Sequence, residues 1–252
     1  MTRRHPAHAE LVAELLRGFK LTTAAEELVP RLVAAGHEPA LATIAEVLGI
    51  EQDARHARRV ARLRRASKLS AGKTFETLDD KRLPRPVVRK LRELETGDFL
   101  DEAINILAFG LPGVGKSHAL SALGHALVEQ GRSVLWTPTY SLVQELLAAK
   151  RDLELPRKLR RLDNYELVIL DDIGYVKQSA EEAEVLFTLL AERYERRSTA
   201  LTSNLVFSEW DRIFKNKMAT SAAIDRLVHH SVILEFNVPS YRTEKAKSRK
   251  KD

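Results

Sequence analysis

Residues 104–117 run Ile104-Asn105-Ile106-Leu107-Ala108-Phe109-Gly110-Leu111-Pro112-Gly113-Val114-Gly115-Lys116-Ser117. A short, mostly apolar run ending at a glycine has the pattern of a buried strand. The stretch from Gly110 to Ser117 then matches G-x-x-x-x-G-K-[ST], and a helical pattern over residues 116–130 follows it. This order explains the residue types. Glycines let the backbone turn with its N–H groups pointing inward, around phosphate oxygens. The following helix offers its N-terminus to the anion. In such a loop Lys116 reaches the β and γ phosphates of a nucleoside triphosphate, and the Ser117 hydroxyl ligates magnesium. Leu111, Pro112, Val114 and His118 complete the expected nucleotide-binding stretch.

Four more apolar runs follow: Ser133-Val134-Leu135-Trp136, Leu167-Val168-Ile169-Leu170, Thr199-Ala200-Leu201-Thr202 and Ser231-Val232-Ile233-Leu234-Glu235-Phe236. Helical patterns separate them, over residues 141–150, 180–196 and 220–229. Strands alternating with helices predict an α/β fold, with a five-stranded parallel sheet covered on both faces.

The third of these strands runs into Asp171-Asp172. Burying two adjacent carboxylates is costly without a cation. At the C-terminal edge of a central strand beside a phosphate loop, magnesium supplies one. Asp171 is then expected to hold the metal through water, and Asp172 to orient and deprotonate an attacking water. Thr202-Ser203-Asn204 closes the fourth strand. An uncharged donor there can touch the γ phosphate or the water, although Asn also favours strand-end turns on its own. Asp225-Arg226-Leu227 precedes the last strand. Arg226 is either a group that stabilises transferring charge in a neighbouring subunit's site or an ordinary salt-bridged helix arginine, and spacing does not decide. His229-His230 is expected to be structural, because adjacent histidines on a helix point about 100° apart.

The chain has 252 residues, 44% of them hydrophobic, enough for a sizeable core. With no cysteine, a disulfide framework, a thiolate metal site and a cysteine nucleophile are excluded. No stretch approaches the roughly 18 apolar residues of a membrane span, and the start carries no signal-peptide pattern. A cytoplasmic protein without a membrane partner is expected. The net charge of +6 is unevenly placed. Residues 1–95 hold 19 basic and 13 acidic side chains, whereas residues 96–252 hold 22 of each. The first part has helical periodicity at Leu11, Leu15, Leu16 and Phe19 and at Leu28, Leu32 and Val33, punctuated by Pro30, Gly36 and Pro39. A further pattern from Thr43 runs into Arg55, Arg58, Arg59, Arg62 and Arg65, which share one helix face, with no acid between Ala54 and Phe75. That face is expected to contact nucleic acid rather than merely to be solvated. Lys150, Arg151, Arg157, Lys158, Arg160 and Arg161 form a second basic stretch, opposed by Asp152 and Glu154.

These residues together resemble the IstB-type helper ATPases of insertion sequences, which are AAA+ proteins close to the DnaC-type helicase loaders. The resemblance covers nearly the whole chain. It rests on Gly110–Ser117, Leu170-Asp171-Asp172-Ile173-Gly174-Tyr175 and Arg193-Tyr194-Glu195-Arg196-Arg197-Ser198. It extends through Leu201-Thr202-Ser203-Asn204-Leu205, Phe207-Ser208-Glu209-Trp210, Asp225-Arg226-Leu227-Val228-His229-His230 and Ser240-Tyr241-Arg242. It implies an ATPase using ATP and Mg2+ that forms a homo-oligomer on duplex DNA and recruits and stimulates a transposase during target selection. It implies Asn204 as sensor, Arg226 as a finger acting in trans, and the basic helices between Tyr140 and Arg161 as a DNA-facing surface. A replicative helicase as partner is the alternative, and a phosphate-loop kinase of small metabolites is a more distant one.

The expected organisation is a helical basic domain over residues 1–73, a connector over 74–95, an AAA+ domain over 96–240 and a basic disordered tail over 241–252. Two departures from the family stand out. The usual Asp-Glu pair is Asp171-Asp172 here, so hydrolysis is expected to be slow. Only about a dozen residues follow the last strand region, so no helical lid is expected. The adenine pocket is expected around Phe99 to Ile104.

Overall fold

The computed structural model describes residues 5–174, 179–214 and 217–241. Tyr175, Arg242 and the basic tail lie outside the described residues. The chain divides into two compact units, Met1–Ala61 and Arg62–Asp252.

The first unit contains α1 (His5–Gly18), α2 (Thr22–Ala34) and most of α3 (Ala40–Ala66). Its core is Val12, Leu16, Ala25, Leu41 and Ala45, with Leu28, Leu32, Ile44 and Leu48 packed around them. Pro30 does not end a helix, contrary to its expected role as punctuation. It sits inside α2, with apolar residues on both sides turned to the core. Packing of that face outweighs the roughly 3 kcal/mol that an internal proline costs a helix.

The second unit begins with the end of α3. It continues through a largely irregular segment and α4 (Arg85–Leu94) into β1 (Asn105–Phe109) and α5 (Lys116–Glu129). Next come β2 (Val134–Pro138), α6 (Thr139–Arg151), α7 (Leu155–Asp163), β3 (Leu167–Ile173) and α8 (Ala180–Arg193). The chain then forms β4 (Ser198–Ser203), α9 (Asp211–Phe214), α10 (Lys217–Val228) and β5 (Ser231–Glu235). The strands lie in the order β2-β3-β4-β1-β5, and every pair is parallel. The expected α/β class and five-stranded parallel sheet are therefore what the chain forms. β1 is buried at every position, as a strand covered on both faces must be. Val168 and Leu170 of β3 join the core with α6, α8 and α10. Ile169 points the other way, toward Gly124 of α5.

The irregular segment after α3 is fastened across α5 and β2. The Trp136 N–H donates to the Ser67 carbonyl at 2.7 Å. Gly124 leaves a notch for Leu69; a Cβ there would lie 3.0 Å from the leucine's Cδ2. His125 Nε2 bonds the Ser70 carbonyl at 2.9 Å.

At the N-terminal edge of the sheet Arg193 is 2% exposed and has no carboxylate within salt-bridge distance among the described residues. Its guanidinium donates to the carbonyls of Leu162, Tyr165 and Ser198 at 2.9, 3.0 and 2.7 Å. Burial pulls its pKa down to about 10, so it remains charged at neutral pH. Those bonds join α7, the turn before β3, and the start of β4.

Candidate active site

The loop from Gly110 to Gly115 connects the C-terminal end of central strand β1 to α5. Parallel strands bring the ends of β3 and β4 beside it, where open α/β sheets bind ligands. Gly110 has φ 152°, and a Cβ there would lie 2.8 Å from the Phe236 carbonyl oxygen and 2.9 Å from its Cβ. Only glycine fits. Gly113 and Gly115 have φ of 82° and 103°, and α5 starts at the next residue, Lys116. Lys116 is 5% exposed, and its Nζ donates to the Gly110 and Leu111 carbonyls at 2.7 and 3.0 Å. The ammonium group is thus held against the inside of the loop, positioned for an anion.

Three residues from three elements converge beyond it. Ser117 Oγ donates to Asp171 Oδ1 at 2.7 Å, and Thr202 Oγ1 donates to the same oxygen at 2.6 Å. The Asp172 N–H donates to Thr202 Oγ1 at 2.8 Å. Thr139 Oγ1 donates to the Asp171 carbonyl at 2.8 Å, fixing the strand end from its other neighbour. Asp171 is 8% exposed and Asp172 is exposed. The difference has a backbone cause. The β3–β4 register shifts between Leu170 and Ile173, and Asp172 adopts φ 58°. Such a bulge re-aims a side chain, here out of the sheet. Hydroxyl and carboxylate oxygens beside a phosphate-type loop form the hard donor set that suits magnesium, so the residues fit that ion.

Asn204 is exposed at the end of β4, and the preceding Ser203 carbonyl accepts the Gly110 N–H at 3.2 Å. The sheet therefore brings Asn204 to the start of the loop. His118 turns its imidazole away from the loop, to Thr77 Oγ1 at 3.1 Å and the Thr74 carbonyl at 3.2 Å. Arg226 is half-buried, with its guanidinium 5.0 Å from the Phe187 ring centroid and Nη1 donating to the Ala222 carbonyl.

The stretch expected to neighbour the adenine lies away from the Gly110 loop. Phe99 and Leu100 are buried at the opposite edge of the sheet, where the Phe99 carbonyl accepts the Ile104 N–H at 2.9 Å. The Gly110 loop instead meets Leu83, whose Cδ2 lies 3.4 Å from where a Gly115 Cβ would be. It also meets Tyr241, whose N–H donates to the Gly113 carbonyl at 3.0 Å and whose ring carries Arg82 4.9 Å from its centroid. Leu83 has no motif around it and is revealed by long-range folding alone, whereas Tyr241 lies in the Ser240-Tyr241-Arg242 stretch of the family resemblance.

The basic stretches are more neutralised than the sequence suggests. Arg55 and Arg58 both pair with Glu51, at 2.6 and 3.2 Å. Arg59, Arg62 and Arg65 are exposed on the same helix. In the second stretch Lys150 pairs with Glu184, Arg151 lies 3.9 Å from Glu181, Arg157 pairs with Glu154, and Lys158 with Glu145. Three of those acids come from outside the stretch, brought in by α6 and α8. Arg160 and Arg161 are exposed on α7. No helix among the described residues is long and apolar enough to cross a membrane.

Comparison with known proteins gives a consistent result. The family model for IstB-like ATP binding proteins matches residues 12–250. An insertion sequence ATP-binding protein of Sinorhizobium fredii is 42% identical over 214 residues, covering 84% of this chain and 72% of that protein. An insertion sequence IS21 ATP-binding protein of Pseudomonas aeruginosa is 38% identical over 192 residues, covering 76% and 72%. Among solved structures, the DnaC helicase loader superposes with a TM-score of 0.54 at 17% identity, over 70% of this chain and 99% of that one. AMPPCP-bound DnaA from Aquifex aeolicus superposes with a TM-score of 0.55 at 17% identity, over 72% and 56%. Both share the fold.

Proposed function

Since the chain belongs to the IstB-like ATP binding proteins of insertion sequences, we propose that it is an ATP-hydrolysing helper that assembles on duplex DNA and recruits and stimulates a transposase, helping to select the insertion target. The hydrolytic part rests on one observation: Asp171 accepts from both Ser117 and Thr202 directly beside the Gly110 loop. In this reading Lys116 leaves the loop carbonyls for the β and γ phosphates of ATP. Ser117 and Asp171 would hold magnesium, Asp171 through water, and the ion would supply positive charge to offset that developing on the phosphates during transfer. Asp172 orients a water molecule and takes its proton, and Asn204 contacts the γ phosphate as sensor.

Arg226 serves in trans. It leaves the Phe187 ring and reaches the ATP of the next subunit in a homo-oligomer. ATP then acts as an assembly switch, completing the subunit interface until hydrolysis loosens it. DNA contacts fall to the exposed arginine face of α3, and to Arg160 and Arg161 of α7 with their paired neighbours.

Light scattering tests this reading on wild type and Arg226→Ala, with and without ATP and duplex DNA. Wild type is expected to assemble only with both ligands, and the variant to stay monomeric while still binding ATP. A wild-type protein that remains monomeric with both ligands would overturn the assembly.

A further inference from the structure

At the edge of the sheet opposite the Gly110 loop, two turns meet. One joins α8 to β4 and carries Tyr194 and Glu195; the other joins α10 to β5 and carries His229 and His230. The histidines are not on the helix, as the sequence suggests, but in the turn after it. Their rings are therefore not splayed by helical geometry. The centroids lie 4.3 Å apart, edge to face. His229 Nδ1 is 3.9 Å and His230 Nε2 is 4.0 Å from the same Glu195 oxygen, Oε1. One donor atom from each of the three residues lies within 4.8 Å of the other two.

Both turns are held by their backbones. The His230 carbonyl accepts the Asn105 N–H at 2.8 Å, and the His229 N–H donates to the Asp225 carbonyl at 3.0 Å. Glu195 has φ 55°, a conformation uncommon for glutamate, in a turn where the Arg196 and Arg197 N–H groups both donate to the Arg193 carbonyl. The neighbouring cations are committed elsewhere: Arg196 to Asp163 at 2.7 Å, and Arg197 Nε to the Asp163 carbonyl at 3.1 Å. Two imidazoles are thus the basic groups facing the Glu195 carboxylate. The Tyr194 hydroxyl lies 3.2 Å from His229 Nδ1 and hydrogen-bonds Glu195, so it engages the donor atoms the ion would use and would have to give way when an ion binds.

We propose that Glu195, His229 and His230 form a binding site for a borderline transition-metal ion of the zinc type. Two imidazole nitrogens and one carboxylate oxygen are the donors that such ions select, whereas magnesium and calcium prefer all-oxygen shells. Donors around tetrahedral zinc stand about 3.3 Å apart, so each histidine needs to close on Glu195 by about 0.6–0.7 Å, and the two imidazoles on each other by up to about 1.5 Å. All three are solvent-exposed, which leaves the fourth position to water or to a donor from another molecule. A bound ion would clamp the α8–β4 turn to the α10–β5 turn. It would thereby steady the end of α10 that carries Arg226, three residues before His229. The site stands on its own residues and does not depend on the ATPase reading.

The test uses the full chain, stripped with chelator and titrated calorimetrically with zinc chloride in the presence of excess magnesium. One ion per chain is expected, with binding weakened at least about tenfold in Glu195→Gln and in His230→Gln. Cobalt(II) should give visible bands of a tetrahedral complex that disappear in His230→Gln. The exposed Glu195→Gln substitution poses no folding problem, and circular dichroism verifies both variants. Wild type that takes up no zinc, or variants that bind it as tightly as wild type, overturns the site.

Discussion

Thr202 Oγ1 donates to Asp171 Oδ1 at 2.6 Å while accepting the Asp172 N–H at 2.8 Å, so one hydroxyl of β4 sets both acids of β3. The side chain is fully buried, and no water competes for it. Thr202→Val keeps the shape and removes the hydroxyl. Asp171 then lacks a donor and the Asp172 N–H lacks its acceptor, at a cost of about 1–3 kcal/mol. Steady-state hydrolysis is expected to fall by about tenfold or more, with a raised magnesium requirement. Thr202→Ser should stay near wild type. A Thr202→Val protein with unchanged kcat would sever this link.

The bulge at Asp172 gives a reason for its being aspartate. At φ 58° a short side chain that can bond locally is tolerated better than glutamate. Asp172→Glu, although it restores the pair usual in AAA+ proteins, is expected to lower stability by about 1 kcal/mol and not to speed hydrolysis. Asp172→Asn should fold and bind ATP but lose hydrolysis. Native-rate hydrolysis by Asp172→Asn would falsify the assignment of this group as general base, and a faster, equally stable Asp172→Glu would remove the backbone argument.

Glu51 offers a test of the basic face on α3. The hydrogen bond from Arg55 holds its carboxyl below the usual range, with Arg58 adding to the effect. Glu51→Gln releases both arginines from a carboxylate. Affinity for duplex DNA is expected to rise at every sequence, and the dependence on salt to steepen. Replacing Arg58, Arg59 and Arg62 together should do the reverse. If neither change moves the salt slope, that face is solvated surface.

Arg193 lies in one of the stretches that carried the family resemblance, and its buried bonds suggest a structural role there. Arg193→Met fills similar volume but leaves the carbonyls of Leu162, Tyr165 and Ser198 without their shared donor. A loss on the order of 3–5 kcal/mol is expected in denaturant unfolding, with ATP binding by the remaining folded protein unaffected. A loss under about 1 kcal/mol would place the guanidinium among dispensable contacts.

Much of this fold was legible because it is written in local periodicity. The five strands end within a few residues of their apolar runs, and Gly110 to Ser117 announces its own turn. The acid pair was legible for the same reason, since carboxylates at the end of an apolar strand need a compensating partner. What stayed hidden depends on contacts distant in sequence. Thr202 reads only as one of three strand-end donors, with no tie to Asp171, until β4 lies beside β3, and the bulge at Asp172 exists only through that pairing. That Phe99 lies at the end of β1 away from the Gly110 loop, and Leu83 beside that loop, was hidden because sequence proximity to β1 does not say at which end of the strand a residue lies. Pro30 was misread because its helix is held by packing rather than propensity. The acids that neutralise Lys150 and Lys158 come from other helices.

A pH prediction follows from the start of the sheet. Arg132 bridges Asp101 and Glu166 at 2.7 and 2.8 Å, and the Ser133 N–H donates to Glu166 at 2.8 Å. Burial pushes the Glu166 carboxyl upward, but the bonds from Ser133 and Arg132 prevail and hold it below its usual range. A carboxyl whose pKa is lower in the folded chain contributes stability above its unfolded value of about 4.3, and that contribution is lost as pH falls through the folded value. Thermal unfolding followed from pH 7 to pH 3 should therefore show a wild-type decline that is shallower in Glu166→Gln. The variant should be the less stable protein at pH 7, and the two curves should converge in acid. Parallel curves across that range would mean that the carboxylate contributes nothing in its charged form.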